Sequence, residues 1–282
     1  PGPGPHPAAL LLPGTGQQDR FGFAGPPPVD LGSHSITDAL AEAGFVVLRF
    51  DERGFGGSAD GPVSYLGQLE DARRALRTLL VQDEVDPDRV VLVGHGEGGW
   101  KALTLAAEDP NIKAVALLAT PGRPYEEILR AQGEAALLSV PPQLRAEARK
   151  TQEKTLTALK TGRDVPPELA GQALWVREIL QVSPEALIAG SSAPLWIAQG
   201  NKDFEVDPNR DPQELLKLAK RRKRKAELRS FPDLDHLFKP EPGDSTPARY
   251  LDASRVVDRA FLDQLTTWLM GQVKSAGKAR AR

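Results

Sequence analysis

Short uninterrupted apolar runs, each stopped by glycine, proline or charge, alternate with longer amphipathic stretches along most of this chain. Residues 8–12 (AALLL) close on Pro13-Gly14 and read as a buried strand. Residues 45–50 (FVVLRF), 90–93 (VVLV), 113–119 (KAVALLA), 195–199 (LWIAQ) and 226–231 (AELRSF) have the same character. Between them lie helical patterns. Residues 35–43 place Ile36, Ala39 and Leu40 on one face, with Gly44 as the stop. Residues 64–81 line Leu66, Leu69, Ala72, Leu76, Leu79 and Leu80 along one side. Residues 100–107 continue the alternation, and 248–273 read as one long closing helix. Strands this apolar, each followed by a helix, predict a mostly parallel, doubly wound sheet covered on both faces, an α/β class.

One stretch breaks the alternation. Residues 123–188 carry three or more helical segments, parted near Pro141-Pro142, Gly162 and Pro166-Pro167, with no strand among them. An insertion of that kind between two core strands is expected to form a helical lid or cap. The resulting division is a Pro/Gly-rich linker at 1–7, core at 8–122, lid at 123–188, core again at 189–273 and a flexible tail at 274–282. A chain that begins at Pro1 without methionine is expected to have lost a leader or an upstream segment.

Composition narrows the chemistry. At 282 residues, 40% of them hydrophobic, the chain can bury a sizeable core without disulfides or metals. A net charge of -2 gives no reason to expect nucleic acid or an anionic membrane as partner. The absence of cysteine excludes disulfides, thiolate metal sites and a cysteine nucleophile. Four scattered histidines form no spaced ligand set, so neither metal nor cofactor is expected. No apolar run reaches the roughly 20 residues of a membrane-spanning helix. The basic run 220–225 (KRRKRK) reads as a solvated helix end. A soluble protein is expected, cytoplasmic or exported, with its oligomeric state open.

The chemistry concentrates at VVLVGHGEGGWKALTLAA, a strand, a tight glycine-rich turn and a helix, which is the setting of a nucleophile elbow. Gly94, Gly98 and Gly99 are the small neighbours such a turn needs, and the register puts the nucleophile at residue 96, where glycine stands. Taking Glu97 as nucleophile instead would force His95 into a position that needs a small residue. Glu97 suits the next role better, offering its backbone N–H to an oxyanion. A base and a carboxylate should follow in chain order. Asp203, after the strand LWIAQ, and His236, after 226–231, meet that order. Asp207 competes as the acid, Asp233 and Asp235 lie beside the histidine, and His34 and His95 compete as bases, with His95 the better candidate for a structural part of the elbow. The loop after the first strand supplies the second oxyanion donor from Thr15, with Gly16 as the alternative. Asp19 with Arg20, and Asp51 with Arg53, are expected to form ion pairs that shape the rim.

Together these segments resemble the α/β-hydrolase superfamily, and within it the bacterial esterase and prolyl-oligopeptidase-like serine hydrolases. GTGQQDRFG resembles that branch's oxyanion loop, VLRFDERGFGGS its RYDKRGxGxS segment, and QGNKDFEV with DHLF its acid and histidine loops. VGHGEGG departs from its GHSxGG elbow only at Gly96. The resemblance implies hydrolysis of small carboxylic esters through an acyl-enzyme, without cofactor, and the glycine implies that this activity is lost or strongly impaired. Either the serine was replaced deliberately or it was lost naturally. Retention of Asp203 and His236 favours deliberate replacement. Two other functions stay open, a non-catalytic binding or regulatory module and a peptidase acting on short peptides.

Overall fold

A computed structural model describes residues 4–14 and 17–280. The strands are β1 (His6–Leu12), β2 (Phe23–Ala24), β3 (Val29–Asp30), β4 (Val46–Leu48), β5 (Val85–His95), β6 (Ile112–Leu118), β7 (Leu195–Gly200) and β8 (Ala226–Phe231). The helices are α1 (Ser33–Glu42), α2 (Tyr65–Leu80), α3 (Gly98–Glu108), α4 (Tyr125–Leu137), α5 (Arg145–Thr161), α6 (Ala173–Ile179), α7 (Pro184–Ala189), α8 (Asp211–Arg221) and α9 (Arg259–Arg280). Six strands form one sheet in the order β4-β1-β5-β6-β7-β8, every neighbouring pair parallel. β2 and β3 make a small antiparallel pair within the loop after β1.

Because the central strands are buried on both sides, alternate residues feed two cores. Leu10, Leu12, Val90, Leu92, Val115 and Leu117 face a layer that includes residues of α2, α3 and α8. Leu11, Val91, Val93, Ala116, Leu118 and Trp196 face the layer of α1 and α9. The chain leaves β1 for β4, then crosses back past β1 to β5. The loops after β1 and β5 therefore diverge at the carboxyl edge of the sheet, where open α/β sheets place their ligands.

The chain divides into two compact units. The larger comprises residues 1–60, 71–122 and 184–282, and contains the sheet. The smaller comprises residues 61–70 and 123–183. Within it, Glu178 accepts hydrogen bonds from Ser64 Oγ at 2.8 Å and Leu66 N at 3.0 Å, while Tyr125 packs edge-on against Trp175.

Several expectations change. The stretch 184–188, read as part of the insertion, is helix α7 of the larger unit. The segment read as a linker at 1–7 already enters β1 at His6. The closing stretch is interrupted: a short 3-10 helix (Pro247–Leu251) and an irregular segment precede α9, whose helix then continues through Arg280, inside the expected tail. Local side-chain bonds account for the interruption. Asp252 Oδ1 accepts from Ser254 N and Oγ, and Asp258 Oδ1 accepts from Phe261 N at 2.8 Å, capping α9. The basic run is not wholly solvated either. Arg224 is buried, donating from Nε to Ala193 O and from Nη1 to Ile188 O, and burial lowers its guanidinium to about 10.

Candidate active site

β5 ends at His95 and α3 begins at Gly98, so only Gly96 and Glu97 make the turn. Gly96 sits in the left-handed region, φ +52°, and its N–H donates to Leu118 O at 2.8 Å. The flanking glycines are steric necessities. A Cβ on Gly94 would collide with Gly98 O and Gly99 Cα, one on Gly98 with Leu12 O, and one on Gly99 with Thr120 Oγ1. Position 96 differs. A Cβ there would meet Gly14 Cα at 3.4 Å and His236 Nε2 at 3.7 Å, both ordinary contacts. The turn has room for a side chain, and that side chain would face the imidazole.

Glu97 precedes the first turn of α3, where N–H groups have no intrahelical acceptor and the helix dipole is positive. Its carboxylate does not face outward. Glu97 and Lys101 are both about 2% exposed, with Oε1 and Nζ 3.1 Å apart. Thr15 and Gly16, read as the other oxyanion donor, lie outside the described residues. Just past them the described chain is tied at Gln18. Gln18 N donates to Glu52 Oε2 at 3.2 Å, and Glu52 N donates to Gln18 O at 3.1 Å. Burial, reinforced by the Glu97 charge against the opposing pull of Lys101, lifts Glu52 to about 7.

The structure brings Asp203 and His236 together. Asp203 Oδ2 lies 2.8 Å from His236 Nδ1. The carboxylate is itself fixed by Glu205 N and Val206 N on Oδ1, at 2.8 and 2.9 Å, and by Gln199 Nε2 on Oδ2 at 2.8 Å. An ionised carboxylate only accepts, so Nδ1 is the donor and Nε2 faces position 96. Burial works to lower the imidazole, but the charges of Asp203 and Glu205, the Asp203 hydrogen bond and Asp235 outweigh it and raise His236 to about 9.

The competing residues have other partners. Asp207 Oδ1 accepts from Asn209 N and Arg210 N. Asp235 pairs with Arg255 at 2.6 Å and accepts from Leu237 N and Lys239 N. Asp233 contributes its carbonyl to Glu241 N. His34 lies against Phe21 O and Asp30. His95 is buried, and its Nε2 donates to His236 O at 2.9 Å, which ties the end of β5 to the histidine loop. Burial and the neighbouring His236 charge hold His95 down to about 3, so it stays neutral. Of the expected rim pairs, Arg20 grips Asp51 with two nitrogens and Arg53 pairs with Asp71, whereas Asp19 accepts from Phe21 N and Phe23 N. The Arg20 hydrogen bond holds the Asp51 carboxyl far below the usual range against the cost of burial.

Four side chains of this neighbourhood escaped the sequence reading: Glu52, Lys101, Glu205 and Tyr250. Glu205 stands two residues past Asp203, so proximity was a usable signal. Tyr250 has none, since only folding carries its hydroxyl to Glu205. Among the described residues, no three His, Asp or Glu gather as a metal site, and no helix is long and apolar enough to cross a membrane.

Comparison with known proteins agrees with this architecture. The sequence pattern of the serine aminopeptidase S33 family matches residues 32–242. The esterase EstD of Thermotoga maritima is 27% identical over 276 residues, which is 95% of this chain and 63% of that esterase. The quorum-quenching protein AidA of Acinetobacter baumannii is 40% identical over 84 residues, 29% of this chain and 28% of AidA. Among solved structures, the Pyrococcus furiosus esterase Pf2001 superposes with a TM-score of 0.62 at 16% identity, covering 95% of this chain and 82% of that one. A parallel six-stranded sheet with an elbow after its central strand, matched by that pattern over most of its length, places the chain in the serine aminopeptidase S33 family of α/β hydrolases.

Proposed function

We propose that the chain is a carboxylesterase-type serine-hydrolase scaffold for small carboxylic esters in which glycine holds the nucleophile position. The observation that carries this reading is the vacant direction at Gly96. A side chain added there would place its Cβ 3.7 Å from His236 Nε2. A serine Oγ, one bond of roughly 1.4 Å further out, can then reach hydrogen-bonding distance of that nitrogen. In this reading His236 is the general base, Asp203 fixes its tautomer and stabilises the imidazolium, and Glu97 N–H with Thr15 N–H receives the oxyanion. With glycine, no acyl-enzyme can form. The site as it stands binds esters or acids without turning them over by that route.

The test compares p-nitrophenyl acetate and butyrate hydrolysis by the parent and by Gly96→Ser. Serine is expected to raise the rate by about a thousandfold or more, and His236→Ala added to it to remove the gain. A folded Gly96→Ser protein that stays at background on both esters contradicts the esterase reading. A second reading, a binding module, draws support from the same glycine, which offers no atom to acylate. It predicts saturable ligand binding with no turnover after serine is installed. Preference for aminoacyl amides over esters in the restored protein would instead favour a peptidase.

A further inference from the structure

His236 has carboxylates on both sides. Asp203 holds Nδ1 at 2.8 Å, and Glu205 Oε2 lies 3.8 Å from Nε2, the nitrogen that faces position 96. Glu205 is fixed at both ends. Its N–H donates to Asp203 Oδ1 at 2.8 Å, and its other carboxylate oxygen, Oε1, accepts from the Tyr250 hydroxyl at 2.7 Å. Tyr250 belongs to the 3-10 helix Pro247–Leu251 and packs its ring against Phe204, 5.4 Å between centroids. Unlike Asp203, whose side chain is fully covered, the Glu205 side chain is 35% exposed. A carboxylate at the partly solvated side of a buried imidazole is not required by the tautomer argument, which Asp203 already satisfies.

We propose that Glu205, braced by Tyr250, is a positioning residue that acts through His236: in the resting site it pairs with the Nε2 side of the imidazole and keeps that ring protonated. The proposal rests on reading His236 as the base of this site. It follows that proton acceptance by His236 belongs to alkaline solution, and that a nucleophile at position 96 competes with Glu205 for Nε2. Charged and titratable groups among the described residues reach the ring from three segments. Asp203 and Glu205 come from the loop after β7, Asp235 from the histidine's own loop with Arg255 paired to it, and neutral His95 from the end of β5. Of the three carboxylates, Glu205 lies 3.8 Å from Nε2, whereas Asp203 sits on Nδ1 and Asp235 pairs with Arg255.

The experiment is a ¹⁵N imidazole titration of His236 in the chain as it stands, beside Glu205→Gln and Tyr250→Phe. The parent should titrate near 9, Glu205→Gln should fall by about one pH unit or more, and Tyr250→Phe should fall less, in the same direction. In the Gly96→Ser background, Glu205→Gln should shift the rising limb of the kcat/KM profile to lower pH by the same amount, leave KM for a neutral ester unchanged, and be reversed in part by Glu205→Asp. An imidazole midpoint unmoved in both folded variants overturns the proposal. The titration needs no turnover, so an inactive Gly96→Ser protein would sink the esterase reading while the role of Glu205 is still decided.

Discussion

At the scale of single residues, the elbow separates positions with no space for a methyl group from position 96, which has the space. Gly98→Ala drives a Cβ into the carbonyl oxygens of Leu12 and Pro13, and Gly99→Ala drives one into the Thr120 side chain. Each should lower unfolding free energy by about 2 kcal/mol or more, read from urea midpoints. Gly98→Ala should be the worse, because backbone carbonyls cannot rotate away as a threonine can. The pattern GHGEGG made the turn legible, since strand, tight turn and helix leave little choice of register. Asp203 and His236 were legible for a related reason: each follows its own strand at the carboxyl edge. Tyr250 was not, because its meeting with Glu205 spans 45 positions of the chain, whereas Glu205 could have been sought by its place two residues past Asp203.

At the scale of elements, continuous apolar runs made the sheet readable. β1, β6, β7 and residues 90–95 of β5 are covered on both faces, so no alternation was needed to find them. The end of the chain was harder. Leu251, Val256 and Val257 kept an apolar rhythm going through residues 252–258, yet Asp252 and Asp258 spend their carboxylates on nearby backbone N–H groups and break the helix there. Asp258→Ala removes the cap on Phe261 N and should cost about 1 kcal/mol. Because Phe261, Leu265 and Leu269 of α9 lie fully buried in the sheet's second core, that loss should appear in global unfolding rather than as fraying of one helix end.

At the scale of the whole molecule, three buried titratable groups shape stability against pH. His95 is held down to about 3, so below 6.5 the unfolded chain takes up a proton that the folded one refuses, and stability falls as pH drops. His236 is raised to about 9, so its contribution is complete below 6.5 and is lost as pH rises through 9. Glu52, raised to about 7, also loses stability as pH rises, between 4.5 and 7. Between 4.5 and 6.5 the slopes of His95 and Glu52 oppose one another, each about 1.4 kcal/mol per unit. The expected profile is flat-topped across that interval and falls on both sides, as urea unfolding at stepped pH would read. A steady rise from pH 5 to 8 would contradict these assignments. The helices of residues 123–183 were legible because no apolar strand interrupts them. That residues 61–70 join the helices of 123–183 was not, because the Ser64–Glu178 bond spans two distant stretches of sequence.

The left-handed backbone at residue 96 carries a consequence for how this chain would evolve. Glycine occupies φ +52° freely, whereas any L side chain there pays a conformational penalty of about 1 kcal/mol. Selection for heat tolerance and selection for turnover would therefore pull a single codon in opposite directions. A library of substitutions at 96, sorted once by melting temperature and once by ester hydrolysis, should return glycine from the first sort and serine from the second.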